Sequence, residues 1–255
     1  MKPLSTKELN LYEEDKSLDE VDYGPLIPLS DHLHELRNKI ILSLVVLSIT
    51  ILIGFYFSRN CVKLLTEIAP VGTTFLQIKP GEFFFICLRV SMYLGIVLAS
   101  PLIIWLLGSF IMPGLKENEK TVAIPILTGT PFLFTIGSIF AYFFVAPSML
   151  NFLFGFGKDV ISTSISIESY VSFTLLIIAL CGCAFLLPII IFALANIGLV
   201  NSKILIKKWR YAVLGSVILG AVLTPTPDPF NMTIVGSILI SLYFFSCGIL
   251  KIIKK

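Results

Sequence analysis

Apolar side chains gather in six long stretches that contain no Asp, Glu, Lys, Arg or His. A helix needs about 20 apolar residues to cross the hydrocarbon of a bilayer, so each stretch predicts one membrane-spanning helix. The prolines inside the longest stretches, Pro125, Pro131, Pro147 and Pro188, predict helix ends or kinks, because a second span would need an unsatisfied turn within lipid. The six stretches are Ile40–Phe57, Val90–Leu115, Thr121–Gly157, Ser169–Ser202, Tyr211–Pro227 and Pro229–Leu250.

The fifth stretch is the shortest of the six. A helix from Tyr211 to Thr224 would rise only about 21 Å, which is less than the ~30 Å of a bilayer core. The alternating prolines of Thr224–Pro229 cannot continue a helix and predict the hairpin before the sixth span, with Asp228 capping the turn. The pattern therefore predicts an all-α integral membrane protein with six transmembrane helices, the fifth of them short.

Composition supports this class and divides the chain. Of 255 residues, 56% are hydrophobic and 14% are charged, and a soluble domain carries about 25% charge, so water-soluble and disordered proteins are excluded. Residues 1–35 hold 3 basic and 9 acidic side chains (net −6), and the remaining 16 basic and 7 acidic ones give net +9. We expect a flexible acidic tail at 1–29 and a membrane domain at 30–255, whose basic residues flank spans and do not indicate nucleic-acid binding.

The distribution of Lys and Arg predicts the orientation. With a cytoplasmic N-terminus, 14 of the 19 basic residues fall on the inner side and 5 on the outer side, so both termini are expected inside. No apolar segment precedes Ile40 and residues 1–29 are acidic, so neither a secretory signal nor a transit peptide is expected.

The residues offer little catalytic chemistry. The five cysteines form no CxxC pair, both histidines precede the first span, and no ATP-binding motif is present, so no metal, no cofactor and no enzymatic activity are expected. Spans without ionisable groups also argue against an ion-coupled carrier. A small secondary transporter and an intramembrane lipid-modifying enzyme remain as alternatives on this reasoning alone.

A few carboxylates outside the spans are candidates for binding. Glu35 and Lys39 are i, i+4 partners, which fits either a solvated ion pair on an interfacial helix or a carboxylate presented to a cationic ligand. Glu119 follows Pro113 and Gly114 in an inner loop, where it is either solvated or functional. Glu82 and Arg89 lie seven residues apart on one helix face. They are expected either to set the register of this helix or to form an ion pair.

Five ordered motifs resemble the TatC family, the multi-span subunits of twin-arginine protein translocases. The turn with two residues between Pro225 and Asp228 is most similar to cyanobacterial and plastid members. The matching segments are His32–Arg37 (HLxELR), Pro80–Phe84 with Arg89 (P-x-E-x-F and a basic residue), Pro101–Phe110 with Pro113–Leu115 and Glu119–Lys120, Phe140–Phe143 (FAYF), and Leu223–Pro229 (LTP…D).

The resemblance implies a function. Family members are receptors for twin-arginine signal peptides and scaffolds on which single-span TatA/TatB-type subunits and further copies assemble, so that folded proteins cross the bilayer at the expense of the proton-motive force. It assigns signal-peptide binding to Glu35, Arg37 and Glu119. Further family positions are Pro80, Glu82, Arg89, Pro101, Phe110, Pro113, Gly114, Pro188, Pro225 and Asp228.

Two departures from the family pattern bear on how partner helices dock. Leu186, near Pro188, and Leu106 stand at positions that are often polar in the family, so partner helices are expected to dock by apolar packing.

A plastid thylakoid membrane is the favoured location, with the bacterial cytoplasmic membrane and the mitochondrial inner membrane as alternatives.

Overall fold

The structure, a computed structural model, describes residues 29–115, 117–156, 164–223 and 229–252. The chain divides into two units, 1–38 and 39–255, and each is described by itself. The described part of the first unit, residues 29–38, is helical. The predicted boundary between tail and membrane domain at residue 29/30 stays a prediction.

Helices account for almost all of the described chain, and one short pair of parallel strands joins two loops. A 3-10 turn, Met112–Gly114, follows α2, and a π turn, Ala141–Val145, joins α3 to α4. The strands are β1 Thr74–Leu76 and β2 Ser164–Ser166. The helices are α1 Leu29–Glu67, α2 Glu82–Ile111, α3 Glu117–Phe140, α4 Ala146–Gly155, α5 Ile167–Ala184, α6 Leu187–Asn196, α7 Ser202–Lys207, α8 Trp209–Leu223 and α9 Pro229–Ile252.

Five helical segments of the described chain are long and apolar enough to cross a membrane: α1, α2, α3 with α4, α5 with α6, and α9. This confirms the all-α membrane fold. Helix α8 has 15 described residues, or about 22 Å at 1.5 Å per residue, so the fifth predicted span is short, as expected. The count of six spans is compatible with five long helices and this shorter one.

The prolines of the two longest stretches act in different ways. Pro147 and Pro188 stand in the first turns of α4 and α6, directly after the π turn and after a break at Phe185–Leu186, so a regular α-helix ends before each of them. Helix α3 continues through Pro125 and Pro131, so of the two predicted alternatives, a helix end or a kink, the helix end does not occur there. Membrane helices tolerate such prolines because neighbouring helices and side chains satisfy the freed backbone groups.

Small residues allow close helix contacts. On α2, a Cβ added at Gly95 would lie 2.9 Å from the Cα of Ile51 on α1, and the Thr50 hydroxyl donates a 3.0 Å hydrogen bond to the Gly95 carbonyl. A Cβ added at Gly220 of α8 would lie 3.1 Å from the Met232 carbonyl of α9. Packing through small residues is typical of helix association in lipid, where no hydrophobic effect drives the helices together.

The largest buried cluster lies where α1, α2, α4 and α5 meet. Its members include Val62, Ile86, Val90, Leu150 and Tyr170, each at most 3% exposed. Large apolar side chains also cover the outside of the bundle, for example Leu52 at 71% and Phe132 at 67% exposure. Exposed apolar area on this scale is typical of a surface that lipid or another protein covers.

Candidate functional site

The first two predicted signal-recognition residues lie on the described part of the first unit. Glu35 is half-buried and Arg37 is exposed, both within the opening turns of α1. The carboxylate and the guanidinium are therefore presented on a helix, which holds their backbone positions rigidly. This is a suitable support for recognition of a charged ligand.

The third predicted residue, Glu119, lies in the first turn of α3, and its side chain is outside the described residues. Pro113 and Gly114 lie in the exposed 3-10 turn between α2 and α3, which the Leu115 N–H closes with a 3.2 Å hydrogen bond to the Met112 carbonyl. This turn places the start of α3 at the C-terminal end of α2.

Lys39 joins α1 to that same end of α2. Its ammonium group donates a 2.9 Å hydrogen bond to the Ser109 hydroxyl, which in turn donates to the Leu106 carbonyl at 2.8 Å. The neighbouring family position Phe110 is half-buried. The structure therefore assigns Lys39 a contact on α2.

Glu82 is the most extensively bonded carboxylate in the described chain. It is 3% exposed, and its Oε2 accepts the N–H groups of Ile78 at 2.7 Å and Lys79 at 3.0 Å. Its Oε1 accepts the Ser166 hydroxyl and the Glu168 N–H, the latter at 3.2 Å. One side chain thus binds the loop before α2 to the N-terminus of α5.

Local sequence explains how these groups meet. Gly81 has φ +79°, a left-handed conformation that favours glycine, and it turns the chain into α2 directly after Pro80, which is exposed. Ser166 is the N-cap of α5, and its hydroxyl accepts from the Ser169 N–H at 3.4 Å. The pairing of Phe75 with Ile165 between β1 and β2 brings the two loops together.

Arg89 lies two turns further along α2 and contacts α5. Its Nη2 is 3.5 Å from Oε1 of Glu168, and its Nη1 donates to the Ser172 hydroxyl. The ion-pair partner of Arg89 is therefore Glu168 of α5 and not Glu82 on its own helix. Sequence reasoning missed Glu168, although a serine N-cap followed by a first-turn acid is a readable helix-start signal.

Two tyrosines bind the last turn of α1. Tyr170 of α5, 1% exposed, donates a 2.8 Å hydrogen bond to the Leu65 carbonyl. Tyr142, in the π turn that contains most of the FAYF motif, donates to the Leu64 carbonyl at 3.0 Å. The last four carbonyls of a helix lack intrahelical partners, so these hydroxyls complete the end of α1.

The remaining family positions lie apart from this cluster. Pro101 is exposed inside α2, and Pro188 is buried at the start of α6. Pro225 and Asp228 lie outside the described residues. The structure therefore brings Glu82, Arg89 and Tyr142 to one end of the bundle, which we call the outer end because the distribution of basic residues predicts it to face away from the cytoplasm.

Comparison with known proteins agrees with this architecture. The family model described as Sec-independent protein translocase protein (TatC) matches residues 31–237. The TatC protein of Synechocystis sp. is 38% identical, covering 93% of each chain, and the chloroplastic TATC of Oryza sativa is 37% identical over 87% of this chain and 62% of its own. A crystal structure of the twin-arginine translocase receptor TatC in DDM superposes with a TM-score of 0.72 at 31% identity, covering 86% of this chain and 99% of that one.

A long-helix membrane bundle with this match is an integral membrane subunit of a protein translocase and not an enzyme. The secondary-transporter and lipid-modifying alternatives are thereby set aside. The chain belongs to the TatC family. Cyanobacterial and chloroplastic relatives fit a thylakoid or bacterial membrane.

Proposed function

We propose that this protein is the receptor and scaffold subunit of a twin-arginine translocase. It binds twin-arginine signal peptides and, with single-span TatA/TatB-type subunits and further copies of itself, moves folded proteins across a membrane. The observation that carries the proposal is the family match over residues 31–237, a range that includes Glu35, Arg37 and Glu119.

The chemistry of the signal favours carboxylates as its receptor. The two guanidinium groups of a twin-arginine signal bind best to carboxylates, which accept paired, charge-assisted hydrogen bonds from them. Glu35 is half-buried on α1, and Glu119 opens α3. Arg37, exposed on the same helical segment as Glu35, is assigned to the site by the family motif.

The energy source proposed is the proton-motive force. The sequence carries no ATP-binding motif, so the subunit has no means of its own to hydrolyse ATP. Transport of a twin-arginine cargo into thylakoid vesicles should therefore stop when a protonophore is added and continue when ATP is removed. Persistence of transport with the protonophore would contradict this part of the proposal.

Crosslinking tests the receptor role. A twin-arginine signal peptide with a photoreactive group beside its arginines should crosslink to the wild-type protein in membranes, and Glu35→Gln with Glu119→Gln should reduce the yield at least tenfold, the effect of losing one charged hydrogen bond of about 1.5–3 kcal/mol. Glu117→Gln, which removes an equal charge two residues from Glu119, is the matched control. Unchanged crosslinking in the double variant would refute the assignment.

A further inference from the structure

A groove between α1 and α2 opens on the outside of the bundle near the outer end. Its volume is about 480 Å³, which falls within the range of small-ligand sites. Two of its lining side chains, Ser58 and Cys87, are nearly fully buried and form its floor. The walls and mouth are formed by Leu52, Phe55, Tyr56, Arg59, Phe83 and Phe84.

Aromatic rings shape the walls. Phe55 of α1 and Phe84 of α2 meet edge to face with ring centroids 6.1 Å apart. Tyr56 is 81% exposed and Phe84 54% exposed, so both rings border the open side. Toward the middle of the bilayer the groove continues along Leu52, an exposed apolar side chain.

The depth of Arg59 suits a lipid headgroup. It follows the uncharged stretch Ile40–Phe57 by two residues, and that stretch rises about 27 Å, nearly the thickness of the hydrocarbon. Tyr56, one turn earlier, is of the residue type that is enriched at the membrane–water interface. The length of this stretch therefore predicts that the guanidinium lies at the depth of the phosphates of a leaflet.

No carboxylate of the described residues pairs with Arg59. Within the four described ranges, the ion pair present is that of Arg89 with Glu168, and the other residues that line the groove are uncharged. A guanidinium with five donors beside an apolar groove is complementary to an anionic headgroup that carries an acyl chain.

We propose that this groove binds a membrane lipid with a phosphodiester headgroup, such as phosphatidylglycerol. Arg59 binds the phosphate with paired hydrogen bonds, and an acyl chain follows the groove past Phe55 and Phe84 to Leu52. The site is distinct from the signal-recognition residues, and its existence does not depend on the receptor role.

Fluorescence quenching by brominated lipids tests the site. Leu52→Trp in a Trp105→Phe/Trp209→Phe background places one tryptophan at the membrane-facing end of the groove. Reconstituted into vesicles, it should show about tenfold higher apparent affinity for phosphatidylglycerol than for phosphatidylcholine with the same brominated chains, as expected for one bidentate charged contact.

Charge variants distinguish lipid binding in the groove from general electrostatic attraction of anionic lipid to the protein surface. Arg59→Gln should abolish the preference, Arg59→Lys should retain part of it, and Lys63→Gln, which removes an equal charge one turn away and outside the groove, should leave it intact. The emission spectra of all variants in bromine-free vesicles verify that the fold is preserved.

Four results would overturn the proposal. The first two are equal quenching by both lipids in the Leu52→Trp protein with Arg59 intact, and equal loss of preference in the Arg59 and Lys63 variants. The other two are displacement of the lipid by soluble glycerol phosphate, and protection of the tryptophan by a single-span partner helix in place of lipid. The third would indicate a site for free phosphate, and the fourth a helix-docking surface.

Discussion

The carboxylate of Glu82, at the start of α2, accepts a hydrogen bond from the hydroxyl of Ser166, the N-cap residue of α5. The two residues are 84 positions apart in sequence. Because the same carboxylate also accepts two N–H groups from its own loop, this contact fixes the N-termini of two membrane helices relative to each other.

Glu82→Gln should destabilise the outer end. An amide keeps the shape of the side chain but turns an NH₂ donor toward groups that are themselves donors, so at least one hydrogen bond is lost in a buried place. We expect the melting temperature of the purified protein to fall by several degrees. Glu67→Gln, an exposed charge at the end of α1, should change it little, and equal effects of the two substitutions would contradict the role given to Glu82.

The Arg89–Glu168 pair should be energetically coupled but weakly so. With 42% and 32% of the two side chains exposed, solvent screening limits the interaction to about 0.5–1 kcal/mol. A double-mutant cycle with Arg89→Gln and Glu168→Gln, measured by unfolding in mixed micelles, should return a coupling of this size. The coupling free energy should decrease at high salt. A coupling of zero would show that the two side chains do not interact.

Removal of a tyrosine hydroxyl should matter more at Tyr170 than at Tyr142. Tyr170→Phe leaves the Leu65 carbonyl unsatisfied in a buried setting, at a cost of about 1–3 kcal/mol in the free energy of unfolding. Tyr142→Phe breaks the equivalent bond to Leu64 in a more exposed place, and its cost should be smaller. Thermal unfolding of the two variants side by side measures the difference, and the reverse order would be inconsistent with the burial.

Gly95→Ala should separate α1 from α2. The added methyl group would lie 2.9 Å from the backbone of Ile51, which cannot yield as a flexible side chain could, so we expect a loss of about 1–3 kcal/mol in stability. Gly215→Ala, on α8, adds the same methyl group where nothing lies within 4 Å and serves as control. Thermal unfolding of the two variants side by side measures the difference, and an equal loss in Gly215→Ala would contradict the close contact between α1 and α2.

The sequence was sufficient for the family and for the motifs that define the candidate site. Motifs are local, so the segments around Glu35, Glu82 and Glu119 could be recognised without coordinates. The partner of Arg89 could not, because Glu168 lies 79 positions further along the chain and nothing in the spacing of either residue points to the other. Whether Pro125 and Pro131 end α3 could not be decided from the sequence either, because that rule considers one helix alone, and packing against neighbouring helices allows α3 to continue.

What the sequence determined by itself is therefore the membrane class, the short fifth helix, the predicted orientation and the family, since each follows from how apolar and charged residues are distributed along one dimension. Tertiary structure alone decided that Glu82, Ser166 and Glu168 form one cluster, that tyrosines complete the end of α1, and that an aromatic groove surrounds Arg59. These features depend on which helices meet and in what register. Steric fit between small residues such as Gly95 and the groups facing them sets that register, and a linear pattern does not contain it.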